Sequence, residues 1–168
     1  RLVTNRLTWY LEKNKILNNN QTGFRKHRST IDHIMRLQND IQNSINHTEF
    51  TLGVFIDFTK AFDMLWKDGL LEKIEKNKIT GKMYDWIKNF LSDRSIQVRI
   101  GNTLSQKFNM ENGTPQGSVI SPILFLLMIN DLPDPTNRSK NAIYADDTAI
   151  WKSGKDIAVL IKSLQRDL

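Results

Sequence analysis

Apolar positions recur at helical spacing over the first stretch, 2–17, where Leu2, Val3, Leu7, Tyr10 and Leu11 can share one face. A second stretch carries Ile31, Ile34, Ile41 and Ile45 roughly every three to four residues or a multiple of that, with Ser29 or Thr30 placed to cap its start. Both are expected to be helices packed on a core. Between them lie the polar turn Asn18-Asn19-Asn20-Gln21-Thr22-Gly23 and the basic knot Phe24-Arg25-Lys26-His27-Arg28. The period then changes. Residues 50–58 form a short run of β-branched and aromatic side chains, the pattern of a strand buried on both faces, and an acid, Asp57, stands near its end. Helical patterns return from about Trp66 to Lys78 and, after a break from Asn77 to Gly81, in a further helix to about Leu91, where Tyr84, Ile87 and Leu91 share a face.

Ile96 to Ile100 alternates strictly, and the turn dipeptide Gly101-Asn102 before Thr103-Leu104 predicts a hairpin. A glycine-flanked loop, 111–117, precedes Ser121-Pro122 and an almost wholly apolar helix, 123–129, with Pro in the tolerated first turn. A helix apolar all round is buried, and this one falls far short of the about 20 residues that span a membrane. Pro133 and Pro135 are expected to close it. Ala142–Ala145 and Thr148–Trp151 read as two strands joined through Asp146-Asp147, and a final helix runs from about Asp156. No internal repeat or linker interrupts the chain.

At 168 residues, 39% hydrophobic and 25% charged, the composition is that of a globular chain able to bury a core without staples. The absence of cysteine excludes disulfide frameworks, zinc knuckles, iron–sulfur clusters and thiol catalysis, and fits an intracellular setting, nuclear or cytoplasmic. A net charge of +6 favours a polyanionic partner such as nucleic acid. The chain opens on Arg1 and closes within the last helix, so it is read as a piece of a longer protein.

The sharpest chemical signal is that both strand regions end in carboxylates. An ionised acid at the tip of an apolar strand needs a positive partner, and hard oxygen ligands suit magnesium, which takes one or two carboxylates plus substrate phosphates. Asp57 and Asp146 are far apart in sequence, so they can meet only if their strands are neighbours in one sheet. Asp-Asp in a hairpin is also an ordinary turn signal.

Three of these segments carry a resemblance. Phe55-Ile56-Asp57-Phe58-Thr59-Lys60-Ala61-Phe62-Asp63, Gly113-Thr114-Pro115-Gln116-Gly117-Ser118 and Tyr144-Ala145-Asp146-Asp147, in that order, resemble the three central motifs of reverse transcriptases. Their form is similar to that of non-LTR retrotransposons of the jockey-like clade. Gln21-Thr22-Gly23-Phe24-Arg25-Lys26-His27-Arg28-Ser29-Thr30 resembles the fingers motif upstream, and Ser121-Pro122 and Ile129-Asn130-Asp131-Leu132-Pro133 resemble segments flanking the second motif. The resemblance covers essentially the whole chain.

The resemblance implies an α+β fold, the fingers and palm of a right-hand polymerase with a small antiparallel palm sheet packed on helices and no thumb. It sets one incomplete domain, fingers at about 1–50 and 65–118 and palm at about 51–64 and 119–168. It implies RNA-directed DNA polymerase activity within a mobile element, with an RNA template, a DNA primer and deoxynucleoside triphosphates as partners. Asp57, Asp146 and Asp147 match the catalytic, metal-binding acids, for two Mg2+ ions or Mn2+ in their place. Asp63 is expected to brace the strand-to-helix turn. Phe62 matches the aromatic under the sugar of the incoming nucleotide, where a ring would clash with a 2′-hydroxyl. Gln116 and Gly117 match the loop at the templating base and nucleotide, and Arg25 and Arg28 the fingers segment near triphosphate and template.

Three other readings stay open at this point. One is a non-catalytic nucleic-acid-binding remnant, one a group II intron maturase-type reverse transcriptase, and one an RNA-templated RNA polymerase, which Phe62 and Tyr144-Ala145-Asp146-Asp147 disfavour.

Overall fold

A computed structural model of the chain describes residues 1–132 and 139–168, so Pro133 and Pro135 lie outside the described residues. Helices and antiparallel sheets are mixed in it, in keeping with the α+β expectation. The chain divides into two compact units, residues 1–16 with 60–129, and residues 17–59 with 130–168. The division falls at 16–17, 59–60 and 129–130, whereas the limits drawn on the motifs fell at 50–51, 64–65 and 118–119.

The first unit is mainly helical. α1 (Leu2–Lys13) buries Leu7 and Leu11, and Leu2, expected on the same inner face, is exposed at the helix start. α3 (Lys67–Lys76) buries Leu70 and Ile74, and α4 (Lys82–Leu91) buries Ile87 and Leu91. The Tyr10 hydroxyl donates to the Asn77 carbonyl at 3.1 Å. Two short ladders follow, β2 (Ser95–Ile96) with β5 (Phe108–Asn109), and β3 (Arg99–Ile100) with β4 (Thr103–Leu104) across the turn Gly101-Asn102. α5 (Ser121–Met128) has Pro122 in its first turn and buries Ile123, Leu124, Phe125, Leu126 and Leu127, as an apolar helix without a polar face must. No helix among the described residues is long and apolar enough to cross a membrane.

The second unit is a helix–sheet–helix layer. β1 (Phe50–Ile56), β6 (Lys140–Tyr144) and β7 (Asp147–Gly154) form a sheet of order β1-β7-β6, all antiparallel. β7 is central, and Trp151 and Thr148 on it are buried. Side chains alternate across a sheet, so odd-numbered β7 residues share one face and even-numbered ones the other. Trp151 meets α2 (Thr30–Asn46) through Asp40, while Lys152 bonds Ser163 of α6 (Ile157–Asp167), which places the two helices on opposite faces. Ser29 caps α2 in a capping box with Asp32, and Asp156 caps α6.

Two expectations are corrected here. β1 is an edge strand rather than one buried on both faces, and Phe50 and Phe55 on it are exposed. Ile31, Ile34, Ile41 and Ile45 of α2 are exposed as well. The helix instead turns His33, Leu37, Asp40 and Ser44 inward, a stripe at equally good helical spacing. Polar anchors decide the rotation. Asp40 accepts from the Trp151 indole N–H at 2.8 Å and pairs with Lys140, and His33 Nε2 lies 3.1 Å from the Ile143 carbonyl.

Burial pushes the Asp40 carboxyl up, but hydrogen bonds from Lys140 and Trp151, aided by the Lys140 and Arg36 charges, outweigh it and hold the group below its ordinary range. Asp40→Asn is expected to lower stability by about 1–2 kcal/mol, since hydrogen bonds to a charged group are among the stronger ones. The contribution of a carboxyl that titrates lower when folded is complete above the ordinary carboxylate range and is lost as pH falls below it. Thermal unfolding followed at pH 7, 5 and 3 should therefore show the gap between wild type and Asp40→Asn closing with acid; a gap that does not change with pH would contradict the anchor.

Candidate active site

The register of the second unit brings the acids to one end of one sheet. Ile56 pairs with Thr148, so the antiparallel register continued by one residue sets Asp57 opposite Asp147, and Tyr144 pairs with Asp147 from the other side. Directly opposed residues on such a ladder have Cβ atoms about 4.5–5.5 Å apart. By parity Phe55, Asp57, Asp147, Ala149, Tyr144 and Ala142 share the face toward α2. There they line a cleft of about 400 Å³ with Thr30, His33 and Ile34 from the first turns of that helix. Asp146 is not among the cleft residues. It sits half-buried in the two-residue turn Ala145-Asp146 that joins β6 to β7. Desolvation, with the nearby Arg36 and Arg28 charges, holds the His33 pKa below its ordinary value despite the bond to the Ile143 carbonyl and the Asp32 charge.

The turn itself is strained and clamped. Ala145 has a φ of 56°, a left-handed conformation that costs a residue with a Cβ about 1–2 kcal/mol. A positive φ at the first central position matches the twist of a two-residue hairpin. Loop residues 20–22 run beside β6, with Ile143 N–H donating to the Asn20 carbonyl at 3.0 Å and Thr22 N–H to the Ile143 carbonyl at 2.9 Å. From that loop the Gln21 side chain, 3% exposed, brackets Ala145: its Nε2 donates to the Ala145 carbonyl at 3.1 Å, and its Oε1 accepts from Ala145 N–H at 2.9 Å. Oε1 also accepts from Gly23 N–H at 2.8 Å. A Cβ on Gly23 would lie 2.2 Å from the Ala145 nitrogen, so only glycine fits there.

Arg25 is buried, and its Nη1 donates to the carbonyls of Asn18 at 2.7 Å and Gln21 at 3.0 Å, so the guanidinium holds the loop that holds the turn. Arg28 is exposed and reaches the Asn19 carbonyl at 2.9 Å. Lys26 and His27 are exposed. Gln21 and Gly23 were read from the sequence as a polar turn. Their tie to Ala145 spans more than a hundred residues, and no local pattern announces it.

Phe62, Gln116 and Gly117 belong to the first unit. The Phe62 ring packs on Phe125 of α5, centroids 4.6 Å apart. The Asp63 side chain reaches the glycine-flanked loop, where its Oδ1 accepts from Gln116 Nε2 at 3.0 Å. Thr114 N–H donates to the Phe62 carbonyl at 2.9 Å and Gly113 N–H to the Leu65 carbonyl at 2.8 Å, tying the glycine-flanked loop to residues 62–65. Arg94 Nη1 donates to the Gly113 carbonyl at 2.7 Å, and Ser121 Oγ to the Pro115 carbonyl at 2.8 Å. Gln116 and Gly117 themselves are exposed, and Gly117 has a φ of 83° with open space around it.

Among the described residues no three His, Cys, Asp or Glu side chains gather as a ready metal cage. The donor set of Asp57, Asp146 and Asp147 consists of hard carboxylate oxygens at one sheet end. It fits a cation that takes one or two carboxylates and completes its shell with phosphate and water, as Mg2+ does.

A family model described as reverse transcriptase (RNA-dependent DNA polymerase) matches residues 1–167. The chain is similar to a probable RNA-directed DNA polymerase from transposon BS of Drosophila melanogaster, 35% identical over 175 residues that take in 100% of this chain and 19% of that protein. It is similar to the RNA-directed DNA polymerase from mobile element jockey of Drosophila melanogaster, 32% identical with the same shares covered, 100% and 19%. The chain thus spans about a fifth of the length of these relatives. Among solved structures its fold resembles that of telomerase from Candida albicans, determined in complex with the TWJ fragment of telomeric RNA, with a TM-score of 0.70 at 12% identity over 98% of this chain and 32% of that one.

Gly113 and Gly101 both have positive φ, 85° and 59°, but a Cβ on Gly113 would lie 2.5 Å from the Asp63 carbonyl oxygen, whereas Gly101 has open space. Gly113→Ala is expected to cost at least about 2 kcal/mol and Gly101→Ala about 1 kcal/mol, the backbone strain alone. Denaturant unfolding of the two variants measures the difference, and equal losses would contradict the close approach of the loop to Asp63.

Proposed function

This chain belongs to the reverse transcriptase (RNA-dependent DNA polymerase) family, and from that membership we propose that it supplies the fingers and palm of the RNA-directed DNA polymerase of a non-LTR retrotransposon. The reaction is attack of a primer 3′-hydroxyl on the α-phosphate of a deoxynucleoside triphosphate. The new phosphodiester bond forms as pyrophosphate leaves, on an RNA template. The observation that carries this reading is the shared sheet end of Asp57 and Asp147, with Asp146 adjoining on a strained turn. Its site of action is read as intracellular.

Asp57, Asp146 and Asp147 are the residues that would hold two Mg2+ ions, with Mn2+ as the substitute. Such ions, when bound, lower the pKa of the attacking hydroxyl and stabilise charge on the phosphoryl oxygens. The chain's own groups do the rest. Phe62, backed by Phe125, presents a ring where a ribose 2′-hydroxyl would clash. Gln116, oriented by Asp63, offers a donor and an acceptor beside the templating base, and Gly117 lets backbone approach the nucleotide without a Cβ in the way. Exposed Arg28 is suited to phosphate oxygens, whereas Arg25 serves through the loop it braces.

In the complete protein carrying this sequence, Asp57→Asn and Asp146→Asn are each expected to reduce magnesium-dependent primer extension by more than about 100-fold, with RNA-template binding within twofold of wild type. Extension that survives either change would overturn the assignment of the acids. Salt-sensitive binding without extension in the wild type would identify a non-catalytic nucleic-acid-binding remnant. Phe62→Val is expected to raise the ratio of ribonucleotide to deoxynucleotide kcat/KM; an unchanged ratio in primer-extension kinetics would remove the sugar-gating role.

A further inference from the structure

The geometry points to Gln21 as a positioning residue for Asp146, acting through the main chain of Ala145. This inference rests on the catalytic reading of Asp146 given above and deepens it. Gln21 is a polar side chain almost wholly removed from water, and both ends of its carboxamide are satisfied at one residue. A carboxamide that bonds both the N–H and the C=O of one residue defines the position and tilt of the peptide groups on either side of it. The second of those groups is the Ala145–Asp146 peptide, so the clamp sets where the Asp146 Cα stands.

Three further observations support a clamp over incidental packing. Ala145 holds a φ of 56°, and a conformation that an L-residue disfavours persists only where the surroundings over-determine it. Gly23 gives a second bond to the same Gln21 oxygen and leaves no room for a Cβ against Ala145, so the loop is fitted to this turn. Arg25 in turn fixes the Gln21 carbonyl, and backbone bonds through Ile143 fix its neighbours Asn20 and Thr22, so the amide is held from both sides. Both polar atoms of the Gln21 carboxamide are engaged by main-chain groups of Ala145 and Gly23. The side chain holds the backbone from which a metal-binding acid projects, the place of an outer support in a metal site.

The test uses Gln21→Met, which keeps the volume and removes the pairing, and Gln21→Glu, which keeps the acceptor and removes the donor, in the complete protein. Hydrogen exchange at the Ala145 amide reads the clamp directly, Mn2+ titration followed by electron paramagnetic resonance reads the acids with the metal alone, and primer extension reads kcat and the half-saturating Mg2+ concentration. Gln21→Met is expected to speed exchange at Ala145 and to raise the Mn2+ dissociation constant and the Mg2+ requirement about 10- to 100-fold. Template binding should stay within twofold. Should Gln21→Met fail to fold, the same measurements on Gln21→Glu decide, with the same direction expected. A folded variant with Mn2+ affinity and Mg2+ requirement within twofold of wild type would overturn the positioning role and leave Gln21 a packing residue. Asp146→Asn, run in parallel, separates the two claims. If it leaves Mn2+ binding and extension unchanged, the catalytic reading of Asp146 itself falls.

Discussion

The hydrogen-bonded ladder on both sides of β7 is the constraint on which the acidic site depends. β7 pairs with β1 over seven positions and with β6 over five, and its buried Trp151 and Thr148 point to opposite faces. Because side chains alternate with a period of two, a slip of one residue in either pairing would carry Asp57 or Asp147 to the other face. Trp151 resists such a slip, since its indole N–H must meet Asp40 of α2. Burial of one tryptophan and satisfaction of one buried donor therefore help set the register that aligns two carboxylates at the far end of the strand.

Around that register the second unit pairs several polar groups in places where a simple apolar core would have none. Asp40 takes bonds from Trp151 and Lys140, His33 meets a strand carbonyl, and Gln21 meets both polar groups of Ala145. A buried polar group left unpaired costs more than an average hydrogen bond contributes, so these contacts are directional requirements. They account for the rotation of α2, whose isoleucines lie outward although a purely hydrophobic count would turn them in. They also account for a left-handed alanine at the turn beside Asp146.

The first unit follows its hydrophobic pattern more closely. α5 is apolar all round and buried, and the inner face of α4 was legible from its spacing. Here the interest lies in the loop 113–117, tied by main-chain bonds to residues 62–65 and by Gln116 to Asp63. That link between two separate motifs could not be read from either one, because each alone is an ordinary turn.

By itself the sequence determined the chemistry available and the elements that carry it: oxygen ligands and no thiols, helices and strands within a few residues of where they stand, and motifs ordered as in reverse transcriptases. Those properties are local, fixed by the period of apolar side chains, by glycine and proline, and by the identity of residues within each motif. Only the tertiary structure decided which acid faces which, which stripe of α2 turns inward, that β1 is an edge, and that Gln21 grips Ala145. Each of these depends on a partner far along the chain, and the free energy that selects it, register plus the pairing of buried polar groups, has no expression in a single segment.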